Sequence, residues 1–234
     1  MSGFKKLSQL SIKAKSKDSA EISIYGVIGG GFFSEGITAK DFSKELKALG
    51  TEVKNITVRI NSPGGDVFEG WTIYNLLAQH QAKITVHVDG LCASIASIIA
   101  MAGEKIIMGE GSQMMIHSAW CYTAGNSRDL LNTVERLETL DDQFIRTYAN
   151  RTKRPKTEIE GLVYAETWFT ADEAVEMGLA DEKAQETMAI AACFVDNAKW
   201  INKAPKNIKT TESEARAKVI QLKTNIQGLL ARKK

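Results

Sequence analysis

The stretch from 90 to 103, Gly-Leu-Cys-Ala-Ser-Ile-Ala-Ser-Ile-Ile-Ala-Met-Ala-Gly, decides the fold. It follows an alternating run at 84–88 that predicts a β-strand ending in a tight turn at 89–90, and its apolar residues then continue as a buried helix. Ser94 therefore lies at the mouth of the helix, beside the free N–H groups of a helix N-terminus. Such a serine is either a helix N-cap or a nucleophile with donors nearby for an oxyanion. This stretch alone favours the cap.

The composition is that of an ordinary globular protein. The chain has 234 residues, of which 44% are hydrophobic and 25% charged, enough for one large core or for a domain with a tail. The net charge of +2 does not favour nucleic acid as a partner. Its three cysteines, Cys92, Cys121 and Cys193, have no metal-ligand spacing, and their odd number argues against a disulfide framework. Without a signal-peptide pattern or an apolar run of about 18 residues, no membrane partner and a cytoplasmic location are expected.

Strand and helix patterns alternate along the chain. Alternating apolar residues predict strands at 20–27, 55–61, 105–108 and 113–116. Amphipathic spacing predicts helices at about 38–49 and 67–80. This order predicts an α/β fold whose sheet is wrapped by right-handed crossovers.

The predicted domain lies between two segments of different character. Residues 1–19 are polar and lysine-rich and predict a flexible lead-in to a domain at 20–197. Within it, 127–151 predicts a helix of about twice the usual length, which suggests packing on another subunit. Residues 198–210 predict a basic linker, and 211–234 an amphipathic helix that serves assembly or docks on its own domain.

Two further stretches are candidates for chemistry. The turn Ser62-Pro-Gly-Gly-Asp66 has paired glycines, which let the backbone approach a ligand, although any strand-to-helix turn favours proline and glycine. His117 directly follows a predicted strand, which would hold its ring as a general base. A lone histidine is more often packed or on the surface, and this is the interpretation for His80 and His87.

Taken together, four motifs resemble those of the Clp protease proteolytic subunit (ClpP) family. They are Asn61-Ser-Pro-Gly-Gly65, Gly90-Leu-Cys-Ala-Ser94, Met115-Ile-His117 and the stretch from Trp168 to Asp181. The resemblance covers about residues 20–185. It implies a ClpP/crotonase-like α/β spiral of βαβ units with a long protruding helix, serine endopeptidase activity and a homo-oligomeric ring.

Details outside these motifs are more similar to the ClpP-like head maturation proteases of tailed phages. They are Gly36-Ile-Thr-Ala-Lys-Asp-Phe42, Ala165-Glu-Thr-Trp168 and the appended tail. This similarity implies capsid or scaffold proteins as substrates, with a location in the host cytoplasm or the prohead.

The resemblance also implies the roles of individual residues. Ser94 stands at the position of the family's nucleophile and His117 at that of its general base. The backbone N–H groups of Gly65 and Ile95 stand where the family has its oxyanion donors. This chemistry requires no metal or nucleotide, so no cofactor is expected.

The sequence departs from the family at three places. The aspartate that orients the histidine stands two residues before Phe169 in the family, and here that residue is Thr167. A hydroxyl can accept the imidazole N–H bond but brings no charge. Adjacent Glu166 would face the other way on an extended segment, so Thr167 is predicted in this position, with a slower enzyme as the result. Residues 118–125 replace a Gly-Gly stretch that pairs with substrate, and 1–20 show no match to the loops that meet an unfoldase.

Three functions remain open from the sequence. The first is a serine endopeptidase that cleaves capsid or scaffold proteins in phage head maturation. The second is a general degradative peptidase of the ClpP type or, less in keeping with these motifs, a signal-peptide-peptidase relative. The third is an assembly subunit with the same fold that has lost activity with the aspartate.

Overall fold

The computed structural model describes residues 9–30 and 36–184, and within them a mixed β-sheet is surrounded by helices. The strands are β1 (Gln9–Ala14), β2 (Ser19–Tyr25), β3 (Asn55–Ser62), β4 (Lys83–Ala93), β5 (Lys105–Met108), β6 (Gln113–Ile116), β7 (Thr167–Thr170) and β8 (Glu182–Lys183). The helices are α1 (Ala39–Ala48), α2 (Val67–Ala78), α3 (Ile95–Ala100), α4 (Ser127–Thr152), α5 (Lys156–Tyr164) and α6 (Ala171–Met177).

The sheet has the predicted parallel core. Its order is β1-β2-β3-β4-β5-β8, and β2, β3, β4 and β5 run parallel to one another. Because parallel strands need crossover connections, α1 and α2 lie between successive strands, as the alternating patterns predict. The α/β fold class is therefore confirmed.

β4 is longer than the sequence predicts. The strand does not end at 89–90 but continues to Ala93. Residues 85–88 pair with β5, whereas 91–93 pair with β6, and the register against β3 shifts between these two parts. The expected turn is therefore a change of partner strand, and it brings the ends of β4 and β6 together.

The beginning of the described chain also differs from its prediction. Residues 9–14 are assigned by their polarity to the flexible lead-in, but they form β1, which pairs antiparallel with β2. Leu10 and Ile12 pack against the core, which explains why this lysine-containing segment is a strand. Alternation at only two apolar positions is a weak signal in sequence.

α3 and the C-terminal half of α4 fix the core beneath the strand ends. Every residue of α3 is buried, and α4 buries Phe144, Ile145 and Tyr148, so removal of apolar surface from water holds the two helices together. The long predicted helix is present as α4. Its N-terminal half, by contrast, exposes Leu130, Leu131 and Val134.

Several predicted segments lie outside the described residues. They are Cys193, the linker at 198–210 and the helix at 211–234, together with residues 1–8 of the lead-in. Among the helices of residues 9–30 and 36–184, none combines the length and apolarity needed to cross a bilayer.

Candidate active site

Ser94 lies on a strained corner between β4 and α3. Its φ of 57° and ψ of −131° are uncommon for a residue with a side chain. The Ser94 N–H donates to the carbonyl of Met115 in β6 at 2.9 Å, which anchors the corner to the sheet. The hydroxyl makes no capping hydrogen bond to α3. Ser94 therefore occupies the N-cap position of α3, but its side chain does not cap the helix as the isolated stretch favours.

The hydroxyl of Ser94 instead contacts His117. The distance from Ser94 Oγ to His117 Nε2 is 2.7 Å, within hydrogen-bond range. His117 follows β6 directly, and β6 pairs with the end of β4, so backbone pairing brings the two side chains together. Burial lowers the pKa of His117 below its usual 6.5. Burial therefore favours the neutral ring, the state in which it can accept a proton.

The glycine turn packs directly on the serine. A Cβ at Gly64 would lie 2.7 Å from Ser94 Cβ and 2.8 Å from the Ala93 carbonyl, and Gly64 has a φ of 92°. A Cβ at Gly65 would lie 2.0 Å from the Ile28 carbonyl. Both contacts are closer than any other residue type permits, so this close approach requires both glycines.

Two backbone donors at this corner are free. The N–H of Ile95 is the first of α3 and has no intrahelical acceptor. For the N–H groups of both Ile95 and Gly65, no acceptor lies within the described part of the chain. The residues that the sequence predicts as nucleophile, base and oxyanion donors thus meet at one site.

A buried hydroxyl network supports the corner from below. Ser97 Oγ donates to the Ser94 carbonyl at 2.5 Å and lies 2.7 Å from the Tyr148 hydroxyl of α4. Since the Ser97 proton is already used, Tyr148 is the donor to Ser97. The long helix is therefore linked through two hydroxyls to the backbone of Ser94.

Asp141 holds the segment that follows His117, a role that was not predicted from the sequence. Its carboxylate accepts the Ala119 N–H at 2.7 Å and a hydrogen bond from the Ser118 side chain. Burial raises the pKa of Asp141 to about 6. An aspartate on the apolar stripe of an amphipathic helix is the signal that could have identified it, because a buried carboxylate requires partners.

The predicted third residue makes no hydrogen bond to the histidine in the described part of the chain. The Thr167 hydroxyl donates to the Leu162 carbonyl at 2.7 Å, and within the described residues the only hydrogen bond of the His117 ring is that to Ser94. Adjacent Glu166 is half-buried and has a φ of 51°. Its negative charge acts on His117, whose pKa it raises against the effect of burial.

The other two histidines lie apart from this site. His80 Nδ1 accepts the Ala82 N–H at 3.1 Å at the end of α2. His87 is half-buried in β4 at a register position opposite Arg59 of β3, and burial lowers its pKa. Across residues 9–30 and 36–184, no three His, Cys, Asp or Glu side chains converge in a way that could hold a metal ion.

Comparison with known proteins identifies the class of this α/β protein. The sequence profile of the Clp protease family matches residues 34–187, so the chain belongs to the Clp protease family. It is 33% identical over 160 residues to the ATP-dependent Clp protease proteolytic subunit 1 of Chlamydia pneumoniae, a match that covers 64% of this chain and 83% of the relative. The corresponding protein of Mycobacterium leprae (strain TN) is 28% identical over 138 residues, covering 58% and 69%.

A solved structure has the same fold. A point mutant of ClpP1 from Listeria monocytogenes superposes with a TM-score of 0.61 and 25% sequence identity, and the match covers 71% of this chain and 91% of the other. The predicted ClpP-like architecture is thereby confirmed.

Proposed function

We propose that this member of the Clp protease family is a serine endopeptidase in which Ser94 is the nucleophile and His117 the general base. The observation that carries the proposal is the 2.7 Å contact between Ser94 Oγ and the half-buried imidazole, whose pKa burial lowers. Oγ forms a bond to the peptide carbonyl carbon while Nε2 takes its proton. Collapse of the tetrahedral intermediate breaks the C–N bond, and the amine leaves with that proton. Water, activated by the same ring, then releases the acid and restores Ser94.

The N–H groups of Gly65 and Ile95 are the proposed oxyanion donors. Both lie at the corner that holds Ser94, and the close approach of the glycine turn supports this role. Fixed backbone donors stabilise charge where it develops and need no reorganisation during the reaction. The proposed chemistry uses only groups of this chain and water.

Active-site labelling tests the proposal directly. The full-length protein is treated with a fluorophosphonate and examined by intact-mass spectrometry beside a Ser94→Ala variant. A single adduct on the wild type and none on the variant is the expected result. If an assembled wild-type sample takes up no adduct, the peptidase proposal fails and an inactive assembly subunit becomes the better explanation.

The finer proposal is that the substrates are capsid or scaffold proteins of a tailed phage. It rests on the sequence similarity of residues 36–42 and 165–168 to phage head maturation proteases. The test is coexpression of wild type or Ser94→Ala with the capsid and scaffold proteins of the phage that encodes the chain. Discrete cleavage of those proteins, or self-cleavage at 198–210, supports the proposal. Degradation of unfolded proteins to short peptides without either cleavage favours the general degradative function.

A homo-oligomeric ring is part of the same proposal. The N-terminal half of α4 exposes Leu131 at 42% and Val134 at 45%, and the preceding loop exposes Tyr122 at 93%. We propose that this apolar surface packs on a second copy of the chain. Native mass spectrometry should show a smaller assembly for Leu131→Glu and Val134→Glu than for Asn132→Glu, a charge on the same exposed half of the helix. Equal assemblies for all three variants would place the subunit contacts elsewhere.

A further inference from the structure

We propose that Glu166 is the positioning residue of this site, the carboxylate that stabilises His117 while the imidazole carries the proton of Ser94. The family's aspartate would stand at Thr167, one residue later, and the chain supplies its charge from the neighbouring position instead. This inference rests on the proposed peptidase function. It names the group that replaces the missing aspartate.

Glu166 and His117 adjoin the last residue pair of the β6–β7 ladder. β6 and β7 are antiparallel, and the last pair in their register is Ile116 with Thr167. One step further along each chain, the neighbours of that pair are His117 and Glu166. Each is bonded directly to a residue of that last pair, so their backbones lie close together where the two strands separate.

The backbone at Glu166 is not that of a strand. Alternation along an extended segment would place this side chain on the face opposite Thr167, which is why the sequence favours the threonine. Glu166 is not extended: its φ is 51°, and its N–H donates to the Val163 carbonyl at 3.3 Å. It belongs to the turn that ends α5, so the alternation rule does not apply at this position.

The surroundings of the two candidates also differ. The Thr167 hydroxyl gives its proton to the Leu162 carbonyl, which ties this side chain to the end of α5. The half-buried Glu166 carboxylate has no hydrogen-bond donor or cation paired with it among residues 9–30 and 36–184. Over the same residues, its charge is the only one that acts on His117, and it raises the histidine pKa.

These observations define what Glu166 does during the reaction. When Nε2 takes the serine proton, the ring becomes a cation in a partly desolvated site, where a nearby negative charge stabilises it. The imidazole then donates the proton to the leaving amine, and the interaction with Glu166 weakens again. The carboxylate does not have to take up a proton itself.

The pH dependence of acylation tests this assignment. Glu166→Gln keeps the size of the side chain and removes its charge, while Glu176→Gln removes a charge from α6. Loss of the Glu166 charge lowers the His117 pKa, so the acidic limb of the pH–rate profile moves to lower pH. The maximal acylation rate falls about tenfold with KM unchanged. Glu166→Asp retains part of the rate, and Glu176→Gln matches the wild type.

A second measurement does not depend on turnover. Hydrogen–deuterium exchange at histidine Cε1, followed by mass spectrometry, gives the pKa of His117 in the assembled protein. This pKa should fall in Glu166→Gln and remain unchanged in Glu176→Gln. An unchanged pKa and pH profile in Glu166→Gln would overturn the assignment, as would a change seen only in Thr167→Val. If fluorophosphonate does not label the wild type but the pKa falls in Glu166→Gln, the peptidase proposal fails while the electrostatic pairing holds.

Discussion

The two sides of His117 are built in different ways. On one side, Ser94 Oγ lies 2.7 Å from His117 Nε2. Three backbone features set this contact: the pairing of β4 with β6, the strained corner at Ser94 and the glycine turn. On the β7 side, no hydrogen bond reaches the ring from the described residues, and Glu166 acts on it through charge alone. Backbone geometry thus fixes the positions of Ser94 and His117, whereas the proposed orienting group depends on which side chain stands at one position.

The difference shows how much sequence change each side of His117 tolerates. A corner that leaves no space for a Cβ permits only glycine, so the motif around the serine remains recognisable at low overall identity. A charge near an imidazole acts over several ångströms and can come from adjacent positions. We therefore expect changes on the Ser94 side to have larger effects than changes on the other side.

Loss of the nucleophile or the base should have the largest effect. Ser94→Ala or His117→Ala is expected to reduce kcat by roughly 10⁵- to 10⁶-fold, because the two groups act as a unit. Peptide hydrolysis by the single and double variants provides the measurement. The double variant should be no slower than either single variant. Multiplied losses would mean that the 2.7 Å contact is not used in the reaction.

Gly64→Ala tests the backbone side of the comparison. The new Cβ would lie 2.7 Å from Ser94 Cβ at a φ of 92°, so the corner must shift. A displacement of about 1 Å should lower the acylation rate about 100-fold, and the overlap should cost about 2–3 kcal/mol of stability.

The matched control is Gly50→Ala at the end of α1. Gly50 has a similar φ of 73° but nothing within 4 Å of the added Cβ. It should lose about 1 kcal/mol through backbone strain and keep its acylation rate. Equal rates for the two variants would show that the glycine turn does not position Ser94. Thermal denaturation and fluorophosphonate labelling separate the two effects.

Much of this site could be predicted from the sequence because its signals are local. The alternating run at 84–88, the paired glycines and His117 at a strand end each follow from the chemistry of a short stretch. Their spacing indicates the family. Ser94 is the N-cap residue of α3 without a side-chain capping bond, and the φ of 57° at this corner is not visible in a short stretch of sequence.

The remaining features depend on contacts between distant segments. The continuation of β4 to Ala93 requires β6 as a new partner, which a strand pattern alone does not show. The left-handed backbone of Glu166 arises where α5 meets β7. Glu166 is therefore not in a strand, and the alternation of side chains between the two faces of a strand does not extend to it. Asp141 was visible on the apolar stripe of α4, but its acceptor role depends on the segment after His117.

Asp141→Asn tests a side-chain contact near His117 through the pH dependence of stability. The pKa of Asp141 is raised to about 6 by burial, so the folded protein holds this proton where the unfolded chain has already lost it. Stability should therefore fall as pH rises from about 4 to about 6 and stay lower above that range, by up to about 3 kcal/mol. Asn can still accept the Ala119 N–H but cannot ionise.

The comparison of wild type and Asp141→Asn isolates this contribution. Urea unfolding at about pH 4.5 and about pH 7.5, on either side of the Asp141 pKa, should show a larger loss of stability for the wild type between the two conditions. Glu176→Gln, which removes a charge from α6, controls for general charge effects. Parallel pH curves for all three proteins would mean that Asp141 carries no burial penalty and that the segment after His117 is held in another way.

The smallest expected effects concern the hydroxyls beneath Ser94. Ser97→Ala leaves the buried Tyr148 hydroxyl without its acceptor and should cost about 1–3 kcal/mol, whereas Tyr148→Phe should cost about 1 kcal/mol. The double variant should lose less than the sum, by about 1 kcal/mol, because both changes remove the same bond. Denaturation of the four proteins gives this coupling. Additive losses would mean that the hydroxyls do not act together, and the position of Ser94 would then rest on the strand pairing and the glycine turn alone.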